Sequence, residues 1–127
     1  MANIPADLKY TKEHEWVRIE GNIGIVGITD HAQGELGDIV YVDIPDVGVN
    51  MNQGDVFGTI EAVKTVADLF APISGTILEF NAAVNDAPES INDDPYGAGW
   101  IIKVQLSNPD EIGGLLDVAS YKALVGQ

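Results

Sequence analysis

The sequence predicts a mainly β fold with short peripheral helices and one helix at its C-terminal end. Three observations carry that expectation. Short runs rich in Val, Ile, Tyr and Phe recur along the chain, with Gly, Pro, Asn or Asp between them. Helical periodicity is scarce until the C-terminus. A Gly-Thr-Ile core occurs twice, in residues 54–61 and 74–79, as in sandwiches built from two similar halves.

Residues 15–20 alternate apolar and polar, Gly21-Asn22 makes a turn, and residues 23–28 form the returning strand. Thr29 caps a short helix that runs through Glu35 and is ended by Gly37. Residues 38–44 are a further strand, closed by Pro45, and residues 47–54 read as loop. Residues 56–62 and 65–70 are two short strands that meet near Val63-Lys64. Ala71-Pro72-Ile73-Ser74-Gly75 breaks the chain before residues 76–80 resume as a strand.

Residues 81–99 turn polar and rich in Pro and Gly, the pattern of a long surface excursion. Residues 100–106 are a clear strand. Ser107-Asn108-Pro109-Asp110-Glu111 then announces the last helix, with a capping side chain, an early proline and acids in the first turn. Leu115, Leu116, Ala119, Ala123 and Leu124 supply its apolar face, while Gly113-Gly114 and Ser120 suggest a break.

The 127 residues suit one domain, residues 1–127, with 46% hydrophobic residues to fill a core. Cysteine is absent, which excludes disulfides, zinc-thiolate sites and a cysteine nucleophile. A formal charge of −14 repels phosphate backbones and anionic lipids, so neither nucleic acid nor membrane is an expected partner. It suits docking to basic patches on other proteins. Met1-Ala2-Asn3-Ile4-Pro5 lacks the basic start and apolar run of a signal peptide, so a cytoplasmic location is expected. A monomer is also expected.

Little here builds a self-sufficient active site. His14 and His31 are the only histidines and lack metal-type spacing, so no metal site is expected. Asn92-Asp93-Asp94 resembles a fragment of a calcium loop without its alternating ligands or closing Glu. No nucleophile elbow, Walker loop or dinucleotide fingerprint occurs.

Lys64 stands apart. It is the only Lys or Arg between Ile19 and Ile102, a stretch with fourteen Asp and Glu residues. At a hairpin tip, flanked by Ala62, Val63 and Thr65, its amine is sterically open. Acylation would remove that lone charge and leave a long neutral arm. Most exposed lysines are simply solvated, and the surrounding sequence is what favours an attachment point.

Glu61-Ala62-Val63-Lys64-Thr65-Val66-Ala67-Asp68 resembles the lipoylation motif of glycine cleavage system H proteins. The resemblance covers essentially the whole chain. It runs through Tyr10-Thr11-Lys12-Glu13-His14-Glu15-Trp16-Val17, Gly27-Ile28-Thr29-Asp30-His31-Ala32-Gln33 and Leu36-Gly37-Asp38-Ile39-Val40-Tyr41-Val42. It continues through Ala71-Pro72-Ile73-Ser74-Gly75, Asn92-Asp93-Asp94-Pro95-Tyr96-Gly97, Gly99-Trp100 and the Leu115-Leu116 tail. Ala62 stands where the family often has serine, another small residue.

The resemblance implies a barrel-sandwich hybrid of lipoyl/biotinyl-domain type, with lipoic acid in amide linkage on Lys64. It implies a carrier and not an enzyme. Its partners would be a PLP-dependent glycine decarboxylase, a tetrahydrofolate-dependent aminomethyltransferase, dihydrolipoamide dehydrogenase and a lipoate-attaching enzyme. Glu15 and Asp68 match family positions linked to holding the loaded arm. Glu13 and Glu15, two apart, would share one face of an extended segment.

Rival readings remain. A biotinyl domain would place methionines where Val63 and Thr65 stand. A lipoyl domain of a 2-oxoacid dehydrogenase complex usually has Asp before the lysine and lacks the terminal blocks. An H-like lipoyl donor in a protein lipoylation relay would keep the fold and change the task. An unmodified acidic interaction module would leave Lys64 merely exposed.

Overall fold

The computed structural model describes residues 3–127. The strands are β1 (Lys9–Tyr10), β2 (Glu15–Glu20), β3 (Ile23–Ile28), β4 (Ile39–Asp43), β5 (Asn50–Met51), β6 (Val56–Ala62), β7 (Val66–Phe70), β8 (Gly75–Phe80) and β9 (Ile102–Leu106). Helices α1 (Asp30–Leu36), α2 (Ala82–Asp86), α3 (Ser90–Asp93) and α4 (Val118–Val125) lie between and after them. One sheet has the order β1-β2-β3-β9-β8-β5 and the other β4-β6-β7. All pairings are antiparallel. This is the mainly β, two-sheet arrangement expected of a barrel-sandwich hybrid. No helix among the described residues is long and apolar enough to cross a membrane.

Side chains from both sheets meet in one buried cluster, including Val17, Val26, Ile60, Leu69, Ile77 and Val104. Each such burial contributes about 1.5–3 kcal/mol against the entropy of ordering the chain. A second cluster joins Tyr10, Trp16, Ile25, Tyr96 and Tyr121. Val26 belongs to the first and Ile25 to the second, so β3 is covered on both faces. That explains why it reads as a continuous apolar run and not as an alternation.

The repeated Gly-Thr-Ile has a physical cause. One copy lies in β6 and the other in β8, one in each sheet, with Ile60 and Ile77 both in the shared core. A Cβ on Gly58 would collide with the carbonyl oxygen of Asp43, and one on Gly75 with that of Gln105. Each glycine admits a neighbouring strand's backbone at close range.

Four expectations are corrected. The loop at 47–54 contains β5, which pairs with β8 and buries Met51. The excursion at 81–99 is largely folded against the core: Val84 of α2 and Ile91 of α3 are fully buried. The start of the last helix is a 3-10 turn at Pro109–Gly114, with no cap from Asn108. The cap that forms is Asp117, which accepts from Ser120 N at 2.8 Å and opens α4 after the break expected near Gly113-Gly114. The inward face of α4 is Tyr121 with Val118 and Val125, while Ala119, Ala123 and Leu124 are exposed. Tyr121 wins that face because its ring stacks on Tyr10, with centroids 4.7 Å apart.

Candidate functional site: the lysine hairpin and its cleft

β6 and β7 form a hairpin whose tip carries Val63, Lys64 and Thr65, all exposed. Ala62 N donates to Thr65 O at 2.8 Å and closes the turn. Val63 N donates to Asp38 O at 2.9 Å and ties the tip to the segment after α1. Among the described residues the ion pairs are His31–Glu35 at 3.9 Å and Lys103–Glu79 at 3.8 Å; Lys64 takes part in neither.

The aliphatic stem of Lys64 passes over Gly37. A Cβ added there would stand 3.5 Å from Lys64 Cε and 3.9 Å from Nζ. Gly37 ends α1 with φ 78° and ψ −152°, a conformation that favours glycine. Its carbonyl accepts from Asn92 Nδ2 at 2.8 Å, and Asn92 Oδ1 accepts from Ile39 N at 3.0 Å. Asn92 Nδ2 also donates to Gln33 Oε1 at 3.0 Å. Asn92 thus pins the corner between α1 and β4 against which the lysine rests.

Beside this corner lies a cleft of about 160 Å³. Its apolar wall includes Ile28, Ala32, Leu36, Ile60, Ala67 and Leu69, and its polar edge carries Glu13, His14, Glu15, Glu35 and Asp68. Glu15 and Asp68 therefore meet here although they come from different sheets. Lys64 is not part of the wall, but its own hairpin supplies Ala67 and Asp68 to it. Asp68 is exposed, opposite Thr59 on β6.

The extended geometry expected for Glu13 and Glu15 is not what forms. His14 has φ 70°, a left-handed turn that interrupts the alternation, and leaves Glu13 exposed while Glu15 is 2% exposed. Both still border the cleft.

Glu15 is held at both oxygens. Thr11 Oγ1 donates to Oε1 at 2.7 Å, and Phe70 N donates to Oε2 at 3.3 Å. Burial outweighs these bonds and, with Glu13 nearby, pushes the Glu15 carboxyl up to about 8. A second cavity of about 540 Å³, lined mainly by Tyr10, Thr11, Phe70, Pro72, Leu115 and Leu116, shares Glu13 and Glu15 with the cleft.

The C-terminal helix reaches this region too. Tyr121 Oη lies 2.8 Å from His14 Nδ1 and 2.7 Å from Thr29 Oγ1, which also caps α1 by accepting from Ala32 N. The His14 ring is 4.8 Å from that of His31. Burial first, then His31, holds its imidazole below the ordinary range.

The sequence points to Lys64 by its isolated charge and to Glu15 and Asp68 through the family resemblance, whereas it does not mark Thr11, Gly37, Asn92 or Tyr121 as site residues. Thr11 four residues before Glu15 is a weak local signal. Nothing local marks Asn92, whose contact with Ile39 spans 53 positions.

Residues 8–127 match the family described as "Glycine cleavage H-protein". A "Glycine cleavage system H protein" of Symbiobacterium thermophilum is 59% identical over 123 residues, covering 97% of this chain and 96% of that relative. One from Staphylococcus haemolyticus is 49% identical over 124 residues, covering 98% of each chain. The crystal structure of a glycine cleavage system H protein from Mycobacterium marinum superposes with a TM-score of 0.90. It is 43% identical and covers 98% of this chain and 100% of that one.

Proposed function

The chain belongs to the glycine cleavage H-protein family, and from that premise we propose that residues 1–127 act as one lipoyl-carrier domain with the lipoyl group on Lys64. The observation that carries this reading is the lysine itself: exposed, outside any ion pair described above, and set on a hairpin beside an apolar cleft. The residues present fit such a group. The cleft wall is apolar, as an aliphatic arm requires, and its edge is acidic, as a cationic cargo requires.

When bound, the lipoyl group supplies a dithiolane that accepts an aminomethyl group and electrons. Everything else is done by the chain. Gly37 leaves room for the stem of Lys64, and Leu36, Ala67 and Ile28 keep water from the arm. Glu15 and Asp68, both on the edge of the cleft, would face the cargo amine. The chain catalyses no step; it carries the aminomethyl group of glycine from a PLP-dependent decarboxylase to a tetrahydrofolate-dependent aminomethyltransferase, and electrons to dihydrolipoamide dehydrogenase. A lipoate-attaching enzyme completes the set of partners.

The test is glycine-dependent loading. Lipoylated protein incubated with the decarboxylase and glycine labelled at its methylene carbon should retain the label, since only the carboxyl carbon leaves as carbon dioxide, and Lys64→Arg should retain none. Equal labelling of both would refute the assignment of Lys64. Glu15→Ala should then shorten the life of the loaded protein, by roughly tenfold for each 1.4 kcal/mol of lost charge pairing. A hydrolysis rate equal to wild type would remove Glu15 from the holding role.

A further inference from the structure

Glu15 stands where the cleft beside Lys64 and the larger cavity meet. The cleft is the cargo side. The larger cavity is lined by both groups that hold the carboxyl, Thr11 and Phe70, and has room for water next to it.

The charges around Glu15 are those of an acid without a counter-ion. From its own segment come Glu13 and His14, from α1 Glu35 and His31, from β7 Asp68 and from α4 Tyr121. Lys12 borders the larger cavity but is exposed, and no cationic group among the described residues lies within 4.0 Å of the Glu15 carboxyl. His14 is no substitute, since burial and His31 favour its neutral form. An ionised Glu15 would be an uncompensated buried anion, whose cost is relieved by protonation or by the arrival of a cation.

We propose that Glu15 is an uncharged acid when no cation faces it and exchanges its proton for the cationic cargo, so that the net charge of the cleft is the same in both states. The exchange rests on the cleft reading above. It balances simply: the carboxyl O–H breaks, the proton leaves to solvent through the larger cavity, and the cargo –NH3+ takes the place of its charge. No bond to the cargo forms or breaks. One proton is released per cation captured wherever the free carboxyl is protonated. Capture therefore tightens up to tenfold per pH unit until Glu15 titrates on its own, and then levels off. The raised Glu15 value supports this ordering by placing that plateau on the alkaline side of neutrality.

The test is a carboxyl-carbon NMR titration of the lipoylated protein, side-chain labelled at Glu, before and after loading, with Glu15→Gln assigning the resonance. Before loading, Glu15 should titrate well above the ordinary carboxylate range. After loading, it should have the shift of a carboxylate at about pH 6. The lifetime of loaded wild type, divided by that of loaded Glu15→Gln, should lengthen severalfold between about pH 6 and pH 8.

An ordinary carboxylate titration before loading would overturn the exchange, as would a Glu15 that remains protonated after it. If loading still moved the resonance in either case, the cleft reading would survive. A resonance indifferent to loading, with Glu15→Gln losing cargo at the wild-type rate, would instead sink the cleft reading itself.

Discussion

Glu15 shows what burial does to one carboxyl. The unfolded chain ionises it near 4.5, whereas the folded chain holds its proton to about 8. Between those values the unfolded state binds fewer protons, so this residue's contribution to stability falls as pH rises and then levels off. The slope reaches at most about 1.4 kcal/mol per pH unit. Glu15→Gln can keep the packing, with its carbonyl accepting from Phe70 N and its amide donating to Thr11. Denaturant unfolding should show the variant gaining stability relative to wild type from pH 5 to pH 8. A constant difference across that range would mean that Glu15 is ionised in the folded protein. The sequence makes Glu15 a candidate only through the family resemblance, as a position linked to holding the loaded arm. It did not reveal the burial, because that depends on the left-handed turn at His14 and on Phe70 from the other sheet.

Among elements, the strands were the legible part. Runs such as Ile23–Ile28 and Val56–Ala62 declare themselves by β-branched composition and flanking turns, and Thr29 and Gly37 mark the ends of α1. The segment at 81–99 was not legible, because its order comes from single long-range contacts and not from a period. Asn92 makes three of these, to Gln33, Gly37 and Ile39. Asn92→Ala should cost about 1–3 kcal/mol in denaturant unfolding and raise amide exchange at Ile39. An unchanged exchange rate would mean that the corner holds without it. The inward face of α4 departs from the expected one for a similar reason, since Tyr121 is chosen by its partners Tyr10, Thr29 and His14. Tyr121→Phe should retain the stacking and lose the hydroxyl bonds, with a loss of about 1–2 kcal/mol in the same assay.

For the whole molecule, the charge of −14 acts as a field as well as a sum of local contacts. Association with enzymes that present basic surfaces should slow as salt rises, with dissociation much less affected. Stopped-flow binding at two ionic strengths checks this, and a salt-independent association rate would contradict it. Against that acidic background stands Lys64, the proposed attachment point. Intact mass spectrometry of the protein from its native host, with peptide mapping, tests it most directly. One lipoyl adduct is expected, mapped to Lys64 and absent from Lys64→Arg. A fully unmodified native protein, or an adduct mapped to another lysine, would contradict it.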